Sequence, residues 1–147
     1  MQHSFLKHHM IQAIKKEFFA YRNGIVASQL RAAGDPHEII MGCLFADIIA
    51  ITRHYERDAQ LAQDLWNDTR HRECRLAAPM LYPIEEFSKE TALTWCRSIE
   101  SIEVADVLCH RLLKHLSYAR ELSQQLAQSD DAMQQYTARR LTINLDE

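Results

Sequence analysis

The chain has 147 residues, a formal net charge of −3 at pH 7, and only three glycines and three prolines. This length suffices for one domain with a real hydrophobic core, and the scarcity of turn-forming residues favours helices over β-turns or disorder. The negative charge excludes a polycation, so DNA contact would need a segregated basic face. No run of about 18 apolar residues occurs and no signal-peptide core is present, so we expect a cytoplasmic protein without a membrane span.

The first half of the chain is predicted to be mainly helical. Hydrophobic periodicity places helices at about 3–21, 25–33 and 46–54, and the helical pattern continues over 58–66. Asn23-Gly24 is predicted to end the first helix, with Gly24 as a left-handed cap, and the sequence 34–36 closes the second. The apolar stretch 39–45 is either a buried loop or the start of the third helix.

The second half is predicted to contain further helices joined by short connections. They are expected at about 69–80, 88–99, 102–112, 118–127 and 132–145. The predicted N-caps are Asp68 or Thr69, then Ser88, then Ser101, because their side chains can accept a hydrogen bond from the first helical turn. The pair Tyr82-Pro83 breaks the chain between the first two of these helices.

Three stretches resemble one another, each with a helix, a short polar break and a second helix that carries a small residue. They begin at Leu61, Ala92 and Leu122, and the small residues are Ala77, Ala105 and Ala138. Alanine allows close approach between neighbouring helices, and helix pairs that recur at roughly 30 residues are typical of α-solenoids. We predict an all-α, right-handed α-α superhelix of HEAT/armadillo-like repeats, with about seven or eight helices in a single domain, 1–147.

Short motifs in these repeats resemble the bacterial DNA alkylation repair family, whose helical repeat proteins include alkylpurine DNA glycosylases. The matching segments are 61–66 with 73–77, 95–99 with 104–108, and 23–27 with Leu30, Arg31 and Gly34. The resemblance implies that Asp106 is a carboxylate of the DNA-facing cleft. There it would stabilise the sugar cation as an N3- or N7-alkylated purine leaves.

The chain also departs from the pattern of the active glycosylases. Ile102 stands where that family has a tryptophan one turn before the aspartate, and Met133 and Tyr136 stand where a W-x-x-R pair is expected. Since a cationic base is held by aromatic groups, these departures make catalysis doubtful. Asp106 has a simpler interpretation as well, as a residue near a helix N-terminus that pairs with Arg97 or Arg75.

Basic residues occur at least once in every predicted helix pair. Stacked repeats could align them into a stripe that neutralises phosphates, although a solvated outer face with interspersed acidic residues is the alternative. The predicted DNA contacts are Arg75, Arg97, Arg111, Lys114, Arg139 and Arg140. Trp66 and Trp95 are either platforms for base stacking or, as we favour, core residues between repeats.

The sequence predicts no metal site and no cofactor. The four cysteines form no CxxC pair and are interpreted as reduced core residues, and no HExxH motif is present. We therefore expect a DNA-binding repeat protein with a concave basic face. The alternative partner is another protein, held on the same surface by a non-catalytic scaffold. A homodimer that buries the apolar N-terminal helix is a third possibility.

Overall fold

The structure, a computed structural model, describes residues 2–147, with side chains from residue 9 onward. Within this range the chain forms nine α-helices and two short 3-10 turns, Ile84–Glu86 and Leu113–His115. The helices are α1 Gln2–Ala20, α2 Gly24–Ala32, α3 Phe45–Thr52, α4 Ala59–Asn67, α5 Arg72–Leu81, α6 Lys89–Arg97, α7 Ile102–Arg111, α8 Ala119–Ala127 and α9 Ala132–Asp146. The prediction of an all-α fold is confirmed, with nine helices rather than about seven or eight.

The chain divides into two compact units, an N-terminal unit Met1–Tyr82 and a C-terminal unit Pro83–Glu147. The single-domain prediction stays a prediction, as does a homodimer, for which the apolar residues Phe5 and Leu6 lie outside the described side chains. No helix within residues 2–147 combines the length and the apolar character needed to span a membrane.

The N-terminal unit has a core built from α1, α3, α4 and α5. Helix α1 packs on α3 and α4, and α5 packs on α3 and α4. Its largest fully buried side chains include Ile14, Phe18, Ile48, Leu61 and Leu65. All ten residues of α5 are buried, whereas α2 contains no buried residue at all.

Two predicted helix boundaries in this unit are wrong. Helix α1 ends at Ala20, and Gly24 is the first residue of α2, because the Asn23 side chain accepts hydrogen bonds from Ile25 N and Val26 N. Helix α5 begins only at Arg72, after a turn in which His71 N donates to the carbonyl of Asp68. Asp68 therefore ends α4 instead of capping α5.

The apolar stretch 39–45 is mainly a buried loop, and α3 begins at its last residue. Gly42 has a positive φ of 83°, and a Cβ on it would lie 2.1 Å from the Asn23 carbonyl oxygen. Asn23 N in turn donates to the carbonyl of Met41 at 2.8 Å. Glycine is thus required here both by the backbone conformation and by the close approach of the chain before α2.

The C-terminal unit is organised around α9, which packs on α7 and α8. Its N-caps agree with the prediction, since the Ser88 hydroxyl accepts from Thr91 N and the Ser101 hydroxyl accepts from Val104 N. Ala105 of α7 and Ala138 of α9 are buried, like Ala77 in the N-terminal unit. The predicted small residues are therefore interior positions of the second helix in each of the three stretches.

Candidate functional site

Asp106 lies on α7 and is held by two side chains of α9. The hydroxyl of Tyr136 donates a hydrogen bond to Asp106 Oδ1 at 2.6 Å, and the Nε of Arg140 lies 3.6 Å from the same oxygen. Tyr136 and Arg140 are four residues apart on one helix, so they share the face that α9 turns toward α7. We call Asp106, Tyr136 and Arg140 the Asp106 cluster.

The Asp106 cluster is accessible to solvent. The Asp106 side chain keeps 36% of its surface exposed, and that of Arg140 keeps 41%. Both contacts of the carboxylate fall on Oδ1, and no hydrogen bond from the described residues reaches Oδ2. The carboxylate is thus oriented by its neighbours while one oxygen still faces water.

The carboxylate of Asp106 affects the pKa of the Tyr136 phenol. Its pKa is raised, first by the hydrogen bond that it donates to Asp106 and then by partial burial. A phenol held protonated beside a carboxylate remains a hydrogen-bond donor at neutral pH. The cluster therefore presents a fixed carboxylate, an aromatic ring and a guanidinium, a combination that can stabilise positive charge developing near Oδ2.

Sequence reasoning missed Tyr136 as a member of this site. It placed Tyr136 where an arginine was expected, and it assigned Arg140 to phosphate contact or to capping the end of the solenoid. The spacing Tyr136-x-x-x-Arg140 is a signal that both side chains share a helix face. However, only the packing of α9 on α7 shows that this face meets Asp106, and no local pattern encodes that contact.

Trp66 and Arg75 lie in the N-terminal unit, where they pack on each other. The guanidinium carbon of Arg75 lies 4.0 Å from the centre of the Trp66 ring, a cation–π arrangement, and each residue is only 3% exposed. This burial places Arg75 in the core of its unit instead of in a solvent-exposed stripe. Its contact with phosphate stays a prediction from the sequence, and we do not propose Arg75 as a DNA contact.

Trp95 lies in the core of the C-terminal unit. It is 1% exposed, and its ring meets Phe87 edge-on with centroids 5.0 Å apart. Both tryptophans are thus buried, and base stacking by either stays a prediction.

The remaining predicted DNA contacts all lie on the C-terminal unit. Arg97 and Arg139 are exposed and have no ion-pair partner among the described residues, and Lys114 approaches His110. Arg139 also lines an apolar cleft of about 360 Å³ together with Ala127, Ala138, Thr142 and Ile143. Two other cations of the unit are neutralised, since Lys89 pairs with Glu121 and Arg120 with Asp146.

The described residues contain no group of three or more histidine, cysteine or acidic side chains placed to hold a metal ion. All four cysteines are free and buried. Burial raises the pKa of Cys43 and of Cys96 to about 12, so neither thiol is a nucleophile at neutral pH.

A sequence model of one protein family, described as DNA alkylation repair enzyme, matches residues 14–145 of this chain. No curated protein and no solved structure matches it. The matched region includes all three similar stretches and the whole Asp106 cluster, so the resemblance inferred from short motifs is confirmed over nearly the entire length. The chain belongs to the DNA alkylation repair family.

Proposed function

We propose that this protein binds DNA through the face of the C-terminal unit that carries the Asp106 cluster, with its helix pairs acting as HEAT-like repeats. The single observation that carries the proposal is the half-exposed carboxylate of Asp106, oriented by Tyr136 and Arg140 in a chain of the DNA alkylation repair family.

Lys89 and Arg120 pair with Glu121 and Asp146, so phosphate contact is assigned to the five other lysines and arginines of the same unit. These are Arg97, Arg111, Lys114, Arg139 and Arg140. Each phosphate that they neutralise releases condensed counterions, so affinity must fall as salt concentration rises. Acidic residues outnumber basic ones in this unit, and the contact face must therefore be locally segregated from the carboxylates.

The proposed role of Asp106 is to stabilise a sugar cation, with the Tyr136 ring as the neighbouring aromatic group. Ile102, where active glycosylases have a tryptophan, is 56% exposed and offers no π face to a cationic base. We accordingly propose recognition of alkylated or otherwise damaged DNA, with base release slow or lost.

The test is a salt titration of binding to a labelled duplex with and without an abasic-site analogue. We expect tighter binding of the analogue and a steep loss of affinity with salt. Arg97→Gln should lower the salt slope by about one unit, whereas Arg120→Gln, a matched exposed arginine already paired with Asp146, should leave it unchanged. Any release of alkylpurine should disappear in Asp106→Asn.

A non-catalytic scaffold for a protein partner is the second candidate. It is favoured by the acidic excess of the C-terminal unit and by two exposed apolar side chains there, Ile102 at 56% and Ile143 at 50%. Absence of DNA binding at low salt would overturn the first proposal and leave this one.

A further inference from the structure

A cluster of basic side chains surrounds the end of α7. His110 and Arg111 occupy the last turn of the helix, and Lys114 and His115 belong to the 3-10 turn that follows. Cations at a helix C-terminus interact favourably with the helix dipole, which explains their presence in part. The contact between the side chains of Lys114 and His110 is not explained by the helix dipole.

Lys114 Nζ lies 3.2 Å from His110 Nδ1. An ammonium group can only donate, so this contact is a hydrogen bond in the neutral imidazole tautomer that carries its proton on Nε2 and accepts at Nδ1. Lys114 has no carboxylate partner among the described side chains, unlike Lys15 and Lys89, which pair with Asp68 and Glu121. An ammonium group whose main contact is a weakly basic ring nitrogen is available for a stronger acceptor.

The charges that face His110 are almost all positive. Lys114, Arg111 and His115 lie around it, and Glu147 at the end of the chain is the acidic group that opposes them. The pKa of His110 is lowered, first by its partial removal from water and then by the repulsion from Lys114 and Arg111. An anion placed among these groups would reverse the repulsion and favour the imidazolium form.

We propose that His110 and Lys114 form a phosphate-binding subsite in which His110 takes up one proton from solvent when a phosphate group binds. Both side chains then donate to phosphate oxygens, Lys114 through its ammonium group and His110 through a protonated ring nitrogen. No covalent bond forms or breaks. The subsite deepens the proposed function in that its phosphate would be a backbone diester of DNA, although a free phosphate has the same chemistry.

The proton uptake fixes the sign of the pH dependence. Because binding raises the pKa of His110, affinity for a backbone phosphodiester, which does not itself titrate in this range, increases as the pH falls from 8 toward 6. Linkage of a single proton limits this increase to roughly tenfold per pH unit. Below the pKa of the free protein the imidazole is already charged, and the dependence levels off.

The experiment follows the imidazole signals of the full chain by NMR through a pH titration. The titration is done alone, with inorganic phosphate and with a short DNA duplex. We expect either ligand to raise the pKa of His110, and Lys114→Gln to remove most of that rise. Lys89→Gln, which removes the same charge from the same unit, should leave the rise intact. His110→Gln should flatten the pH dependence of affinity, whereas the exposed His54→Gln should not.

The outcomes separate this inference from the proposed function. If inorganic phosphate raises the pKa of His110 while the duplex fails to bind, the subsite is supported and the proposal of DNA binding is contradicted. A rise with the duplex alone identifies the backbone diester as the ligand. If neither ligand moves the pKa of His110, or if His110→Gln binds with unaltered pH dependence, the subsite does not exist.

Discussion

Glu73 of the N-terminal unit and Asp106 of the C-terminal unit are both carboxylates on helices, and they have opposite surroundings. Glu73 is 0% exposed and accepts hydrogen bonds from Met41 N at 2.9 Å, Gly42 N at 3.1 Å and Arg72 Nη1 at 2.6 Å. Asp106 is 36% exposed, accepts one hydrogen bond and lies near one guanidinium group.

The two environments indicate different roles for the two carboxylates. A buried charge is tolerated only when hydrogen bonds and an opposite charge replace its lost hydration, so all the capacity of Glu73 is committed to holding the loop before α3. Asp106 keeps part of its hydration and needs no such saturation. One oxygen therefore remains for a ligand, and we interpret Glu73 as structural and Asp106 as functional.

The largest effect expected from this comparison is the loss of stability in Glu73→Ala. Arg72, 3% exposed, would lose its carboxylate, and the Met41 and Gly42 amides would lose their acceptor. Breaking a buried pair in this way costs about 3–5 kcal/mol. Urea unfolding should show that decrease in Glu73→Ala and a change below about 1 kcal/mol in Asp106→Ala. Equal losses of stability in the two variants would contradict the assignment of a structural role to Glu73 and a functional role to Asp106.

A smaller effect is expected for Gly42→Ala, which disturbs the loop held by Glu73. Gly34 and Gly42 both have positive φ, 98° and 83°, but only a Cβ on Gly42 would meet other atoms, including Ala27 N at 2.8 Å. Gly34→Ala should cost about 1–2 kcal/mol for the left-handed backbone alone. Gly42→Ala should cost roughly 1–3 kcal/mol more, because the backbone near Asn23 and Ala27 must shift to make room for the added Cβ. Similar unfolding midpoints for both variants would contradict this account.

The smallest effect is expected for Tyr136→Phe, which removes the one hydrogen bond to Asp106. The loss should be about 0.5 kcal/mol, within the change expected for Asp106→Ala, which removes the same hydrogen bond, and it is measured by urea unfolding at pH 7. In Asp106→Asn the pKa of Tyr136 should fall back toward 10. This is measured by following the NMR chemical shift of a Tyr136 ring carbon as a function of pH. A raised phenol pKa stabilises the fold below pH 10, and this contribution is lost as the pH rises through the folded-state value. An unmoved pKa would show that Asp106 does not hold the phenol.

Much of the fold follows from local features of the sequence. Few glycines and prolines and clear helical periodicity indicate an all-α chain, and Ser88 and Ser101 mark helix starts because a hydroxyl at that position accepts from the first turn. The local rules fail at Asn23-Gly24 and at Asp68. Asn23 can cap the helix that follows it, and the adjacent Gly24 can end the helix before it. Asp68 can by itself either end one helix or cap the next. At both places the tertiary contacts of the loop decide which of the two roles is taken.

The candidate site could be predicted only in part. Asp106 was identified through a family resemblance, but its partners Tyr136 and Arg140 lie some 30 residues away and meet it only because α9 packs on α7. Arg75 illustrates the converse, since nothing in its neighbours along the chain distinguishes an exposed arginine from one stacked on Trp66. Pairing across helices is a property of packing, and a single sequence carries little information about it.

Helix α2 has a consequence for the order in which the molecule opens. It buries none of its nine residues and is held at its start by Asn23 and the close contact with Gly42, and near its end by Arg31, which donates to the carbonyls of His37 and Glu38. With so little apolar surface to expose, we expect its amides to exchange with solvent deuterium by local opening, without unfolding of the core. Helix α5, buried along its entire length, exchanges only through far larger openings of its unit.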